Sequence, residues 1–349
     1  MDKRGNSTKI LVIRLSALGD VAMTVPVLGT LIATYPQLKI TLLTKRAFMP
    51  IFDGMEGVSL FEADVKGRHK RLMGLWQLYR ELRPHKFEAV ADLHNVLRSR
   101  ILKKYYALEG IPFVQLDKGR AEKQALTRAK NKDFRPLKST HQRYAEVFRE
   151  LGYPIELSMA LPRPRLSLDE EVLRLVQQDA KKWLGVAPFA AHSGKMYPLE
   201  LMEKVLGTLS DTGRYKILLF GGGPQEVAQL ERWEQVFENA FCMAGKLGLQ
   251  QELQLISNLD AMLSMDSGNA HLAANYGIPV VTLWGVTHPY AGFYPFGQPI
   301  ENALMADRVR FPLIPTSVYG NRMPKGYGAA MASIAPEAVV EKIGTLLGS

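Results

Sequence analysis

The chain has 349 residues, 47% hydrophobic and 22% charged, a composition that points to a globular protein of two domains and excludes a disordered or low-complexity chain. A single cysteine, Cys242, excludes an internal disulfide framework, and no apolar run approaches the length of a membrane span. The formal charge of +10 is uneven: residues 1–165 hold 30 Lys/Arg against 16 Asp/Glu, a net of +14, and residues 166–349 carry a net of −4. A basic half suits nucleic acid, an anionic membrane surface or a polyanionic substrate, with a merely solubilising surface as the plain alternative. The polar start does not read as a secretory signal, so a soluble, cytosolic protein is expected.

In chain order, residues 9–15 read as a buried strand, 20–35 as a helix closed by Pro36, and 39–44 as a second strand. Helices over 72–82 and 98–108 flank a strand over 88–93. This alternation implies a parallel sheet covered by helices. Residues 118–151 interrupt it with a long, basic, polar excursion read as two helices. Leu161-Pro162-Arg163-Pro164-Arg165 is a stiff linker. Alternation then resumes with a helix over 169–184, a strand over 188–192, a helix over 199–209, a strand over 216–220 and a helix over 225–237. A strand over 259–265, a helix over 271–276 and a strand over 279–284 follow. Residues 311–328 read as loop and 336–347 as a terminal helix. The expected fold is α/β, two doubly wound domains facing across a cleft, with ligands beyond the carboxyl ends of the strands.

Three strand-to-helix corners carry the chemistry. Asp266-Ser267-Gly268-Asn269-Ala270-His271 joins an apolar strand to a small-residue helix. Unpaired backbone N–H groups, the helix dipole, the Ser267 hydroxyl and the open backbone at Gly268 suit a phosphate or diphosphate. The plain reading is an Asp/Ser cap. His271 either donates to a phosphate oxygen or packs under the turn. In His192-Ser193-Gly194-Lys195-Met196-Tyr197-Pro198, the Ser193 hydroxyl, the Gly194 backbone and the Lys195 ammonium make a metal-free phosphate site. In Phe220-Gly221-Gly222-Gly223, three glycines precede Glu226, which either accepts from ribose hydroxyls or simply favours a helix start.

The first strand ends in Arg14-Leu15-Ser16-Ala17-Leu18-Gly19-Asp20, where a dinucleotide-binding domain would carry GxGxxG; that fingerprint is absent. Asp20 is either an N-cap or a general base for a sugar hydroxyl, with Ser16 and Gly19 letting substrate come close. His94 and His192 read as structural. No DxD pair, HExxH or Cys/His cluster makes a metal site legible.

Taken in order, the Ser-x-x-Gly-Asp loop, the Ser193/Lys195/Pro198 loop, the 220–223 glycines and Asp266-Ser267-Gly268 with His271 resemble glycosyltransferase family nine, the ADP-heptose:lipopolysaccharide heptosyltransferases of Gram-negative bacteria. The resemblance implies the GT-B fold, with an acceptor-side domain over 1–165, a donor domain over 166–329 and a terminal helix, 330–349, returning to the first domain. It implies an inverting, metal-independent transfer of heptose from ADP-heptose to a lipid A-linked inner-core acceptor at the inner face of the cytoplasmic membrane. No cofactor is implied, since the ADP-sugar is a substrate. Asp20 matches the catalytic base, and Lys195 with Ser193 matches the donor-phosphate site. Glu226 matches the ribose acid, Lys246-Leu247 the adenine edge, and Asp266, Ser267 and Gly268 the diphosphate and sugar corner. Tyr197 departs from the Trp often found before that proline. The basic excursion, with Lys123, Arg128, Lys130 and Lys132, lies where the family meets its acceptor. Two other readings remain: the same fold with another nucleotide-sugar donor, or a non-catalytic basic surface binder. Phe134 is the only aromatic within 118–138, which argues against nucleic acid.

Overall fold

In the computed structural model, which describes residues 8–176 and 179–348, the chain forms two compact units. The first runs to Lys118 and takes in Thr140–Leu161; the second holds Gly119–Ser139 and the chain from Pro162 onward.

The first unit begins with β1 (Lys9–Ile13), α1 (Leu18–Ala22), α2 (Thr24–Thr34), β2 (Lys39–Thr44) and β3 (Val58–Glu62). It continues with α3 (Arg71–Leu82), β4 (Ala89–Asp92), α4 (Leu97–Leu108) and β5 (Phe113–Gln115). Helix α5 (Arg120–Thr127) then belongs to the second unit, and α6 (Thr140–Glu150) returns to the first, packing on α2, β4 and β5. The sheet order is β3-β2-β1-β4-β5, all parallel. Its strands are apolar runs because both faces are covered. Leu75, Leu78 and Tyr79 of α3 and Leu102 and Tyr106 of α4 close one face over Leu11, Ile13 and Val90. Each such fully buried side chain contributes about 1.5–3 kcal/mol.

The second unit holds α7 (Glu170–Val176), β6 (Lys182–Ala187), α8 (Leu199–Asp211), β7 (Tyr215–Leu219), α9 (Pro224–Val236) and β8 (Ala240–Cys242). After these come α10 (Leu249–Ser257), β9 (Ala261–Met265), α11 (Gly268–Asn275), β10 (Val280–Trp284), β11 (Ala303–Met305) and α12 (Pro336–Leu347). The order β11-β10-β9-β6-β7-β8 is again wholly parallel. Pro336 opens α12 at its first position and Gly348, at φ +72°, closes it in the left-handed conformation.

Three expectations change. The helix expected over 169–184 is described over Glu170–Val176, and Trp183 and Leu184 lie in β6, which replaces the strand expected over 188–192. The terminal helix stays in the second unit: α12 lies on α8, β9 and β10, with Val339 and Ile343 in that unit's core. Finally, Gly119–Ser139 groups with the second unit, so the expected domain of 1–165 is not one piece. Counted by unit over the whole sequence, the charge is +7 and +3 rather than +14 and −4.

Candidate active site

In a doubly wound sheet, the carboxyl edge opens where neighbouring strands send their helices to opposite faces. In the first unit this lies between β1 and β4. Arg14, at the end of β1, donates to the Leu93 carbonyl at 2.6 Å and pairs with Asp20 Oδ2 at 2.5 Å. Its guanidinium also lies 5.7 Å from the centre of the Tyr144 ring, whose hydroxyl donates to the Asp20 carbonyl at 3.2 Å. The Ala17 N–H donates to the same Oδ2 at 3.3 Å. Oδ2 is thus held from two sides. No described residue bonds Oδ1, and the Asp20 side chain keeps 29% of its exposure. This is a fixed carboxylate with one oxygen presented outward. Gly19 lies in the first turn of α1, its carbonyl accepting from Met23.

The loop after β4 approaches the same edge. Asp92 Oδ1 accepts from the His94 and Asn95 N–H groups, and Asp92 Oδ2 accepts from Gln115. His94 Nε2 comes to 3.5 Å from Ser16 Oγ. Burial, reinforced by Arg14 and Lys118, lowers the His94 pKa to about 3, so the ring is neutral in the folded state near pH 7. The unfolded chain takes up that proton first, near pH 6.5. The contribution to stability is therefore complete above that value and is lost as pH falls toward 3. Between pH 7 and 5 it amounts to about 2 kcal/mol. Urea titrations at both pH values should show wild type losing that much more stability than His94→Gln; equal losses would mean that His94 does not carry this pH dependence.

In the second unit the corresponding opening lies between β6 and β9. Lys195, in a 3₁₀ turn over Ser193–Lys195 after β6, places Nζ 2.7 Å from Asp266 Oδ2 and donates to the Asp266 carbonyl at 3.1 Å. The turn is set by backbone-to-backbone packing. The Gly194 carbonyl accepts from Val286, and a Cβ on Gly194 would lie 2.5 Å from the Gly320 carbonyl oxygen. Gly320, at φ +78°, admits no Cβ either, since one would meet Lys195 Cγ at 2.6 Å. Helix α11 begins directly after Asp266 with Ser267 at its N-cap position, and the Ser267 and Ser264 hydroxyls are 3.0 Å apart. The Ser267 side chain does not cap the helix. An ammonium and a helix start with its N–H groups thus share one corner, the chemistry of a diphosphate site. His271 is buried in the first turn of α11.

Residues 75–325 match the sequence pattern of glycosyltransferase family 9 (heptosyltransferase). The chain belongs to that family. It is a glycosyltransferase, and its two parallel-sheet units are those of the GT-B fold. It is 26% identical to the lipopolysaccharide core heptosyltransferase OpsX of Haemophilus influenzae over 80% of each chain. It is also 26% identical to lipopolysaccharide heptosyltransferase 2 of Salmonella typhimurium, over 97% of this chain and 98% of that one. Among solved structures, a family 9 glycosyltransferase of Veillonella parvula superposes with a TM-score of 0.75 at 22% identity, covering 98% of both chains. ADP-heptose lipopolysaccharide heptosyltransferase II of E. coli superposes with a TM-score of 0.67 at 21% identity, over 97% of this chain and 98% of that one.

Other expected site residues of this glycosyltransferase occupy separate loops on the same carboxyl edge. Glu226 Oε2 accepts from the Gly222 N–H at 2.8 Å, bracing the glycine loop at the start of α9. Lys246 is exposed and pairs with Glu234 at 3.2 Å, beside half-buried Leu247. Tyr197 turns inward: it lies in the core, its hydroxyl donating to the Ile334 carbonyl at 2.8 Å.

The basic excursion packs within the second unit. Lys123 is 9% exposed, with Nζ 4.2 Å from the centre of the Phe293 ring. Lys132 Nζ donates to the Leu126 and Pro315 carbonyls, and burial beside Arg308 lowers its pKa to about 8. Arg308 lies 3.5 Å over the Phe134 ring, which packs with His288 and Tyr290. These cations fasten the segment to the second unit. Arg128 and Lys130 remain exposed, with Arg128 bonded to the Asn131 carbonyl. Sequence reasoning missed Arg14, although a cation at the end of β1, six residues before the candidate base, was a legible signal.

Proposed function

We propose that this glycosyltransferase moves heptose from ADP-heptose to the inner core of lipopolysaccharide, with inversion and without a metal ion. The observation that carries the reading is Asp20, held through Oδ2 by Arg14 and Ala17 with Oδ1 presented outward. The relatives named as lipopolysaccharide heptosyltransferases supply the sugar and the acceptor class. Asp20 Oδ1 takes the proton of the acceptor hydroxyl, and that oxygen forms its bond to the anomeric carbon. The bond from that carbon to the diphosphate oxygen breaks, and ADP departs with its electron pair. Lys195 and the α11 N-terminus stabilise the charge gathering on the diphosphate. Ser193 and His271 assist there, Glu226 meets the ribose, and the Lys246-Leu247 segment borders the adenine. The enzyme works at the inner face of the cytoplasmic membrane, with the nucleotide sugar as substrate and no resident cofactor.

The test is incubation with ADP-heptose and a lipid A-linked inner-core acceptor. It follows ADP release and the anomeric configuration of the product. Transfer with inversion is expected; retention, or turnover only with another nucleotide sugar, would overturn the reading. Treatment with EDTA is expected to leave the rate unchanged. A rate abolished by EDTA and restored by Mg²⁺ would remove Lys195 as the main neutraliser of the leaving group.

A further inference from the structure

Helices α3 and α4 of the first unit present an unusual shared surface. Leu72, Met73 and Trp76 of α3 are 63%, 79% and 41% exposed, and Leu97 at the start of α4 is 75% exposed. Trp76 bridges the two helices, its ring meeting Tyr105 of α4 edge-on at 5.1 Å. Around these apolar groups, residues 66–80 and 97–108 carry nine Lys/Arg and no Asp/Glu. Among the described residues only Arg68 of the nine pairs with an acid, Glu81 at 3.5 Å; Arg100 and Lys103 bond neutral amides.

The loop leading into α3 is built rather than slack. Asp64 accepts from the Gly67 and Arg68 N–H groups, and buried His69 accepts from Asp64 N–H at Nδ1 while Nε2 donates to Glu81. Gly74 lies so close that a Cβ there would meet the His69 carbonyl carbon at 2.5 Å. Lys70, Arg71, Leu72 and Met73 are therefore presented from a fixed platform.

We infer that this α3–α4 face docks on an anionic lipid bilayer, with Leu72, Met73, Trp76 and Leu97 entering the headgroup boundary and the surrounding cations meeting lipid phosphates. Both halves of the surface are needed for that occupant. A ring of cations attracts any polyanion, but exposed Leu and Met gain free energy only where they leave water. The N-termini of α3 and α4 follow the carboxyl ends of β3 and β4, the same edge of the sheet that carries Asp20. A lipid-linked acceptor lying in the membrane would thus have its sugars at the level of the base. That purpose rests on the function proposed above, whereas the binding does not.

Flotation with phosphatidylcholine vesicles, with and without phosphatidylglycerol, tests it. Wild type should float with the anionic vesicles and not with the neutral ones. The triple variants Arg68→Glu/Lys70→Glu/Arg71→Glu and Leu72→Ser/Met73→Ser/Leu97→Ser, the latter sparing the Trp76 ring that packs on Tyr105, should each lose about a hundredfold in partitioning. Both should keep the wild-type melting temperature and ADP affinity. Loss with the charge variant but not the apolar one, accompanied by equal binding to DNA or heparin, would make the face a general polyanion site and overturn the proposal. So would wild type failing to float, or both variants floating like wild type. A protein that floats but transfers no heptose would sink the proposed function and leave this surface standing.

Discussion

Asp20→Asn should lower turnover by roughly 10²–10⁴-fold while leaving ADP affinity near wild type, because a general base contributes that much and Asp20 lies in the other compact unit from Lys195. The change removes the proton acceptor but keeps an oxygen able to receive the Ala17 N–H. It also leaves Arg14, whose side chain is 6% exposed, facing an amide instead of a carboxylate, so stability should fall on the order of 1–3 kcal/mol. The two readouts separate the two roles open to this residue. A cap alone predicts the stability loss with turnover within a few fold; a base predicts the collapse in rate. Steady-state rates beside urea melts decide the matter, and a fully active variant would take Asp20 out of the chemistry.

Lys195→Ala should weaken ADP binding by about 10- to 100-fold, the magnitude of one charge-assisted contact to a phosphate. A structural cost is expected alongside, since Asp266 has only 5% of its side chain exposed and would lose its counter-charge. Pairing Lys195→Met with Asp266→Asn removes both charges and should restore much of the stability without restoring ADP affinity. Calorimetric titration with ADP and thermal melts of both variants provide the check. Unchanged ADP affinity in the single variant would show that this ammonium serves the fold and not the ligand.

The parts of the fold that were legible are those in which a local pattern coincides with an element. Strand β2 and helix α12 fall where alternation and the Pro336 start place them. Strand β6 was misplaced because Lys182–Ala187 is buried on both faces and shows no alternation, so Trp183 and Leu184 read as the tail of the preceding helix. Strands β5 and β8, at three residues each, carry too little pattern to be seen. At the site, Lys195 and Asp266 were each visible as corner residues, but their pairing across 71 residues depends on β6 and β9 being neighbours. Lys123 and Lys132 were legible as cations but not in what they touch, for the converse reason. Sequence shows a cation, and only the tertiary structure shows the Phe293 ring or the Pro315 carbonyl that occupies it.

The path of the chain at Gly119–Ser139 has a consequence for dissecting the molecule. The backbone passes between the two units after Lys118, after Ser139 and after Leu161. A gene cut at the proline-rich stretch near residue 162 would leave α5 on the amino-terminal fragment, severed from Phe293 and Pro315. The carboxyl-terminal fragment would lose the Phe134 ring that Arg308 covers. Such halves would each expose a torn apolar seam and should be poorly soluble when expressed apart. Mixed in one cell, they should recover one another through that same seam, so the excursion acts as an inherited splice between two pieces that a linker-based map would treat as separable.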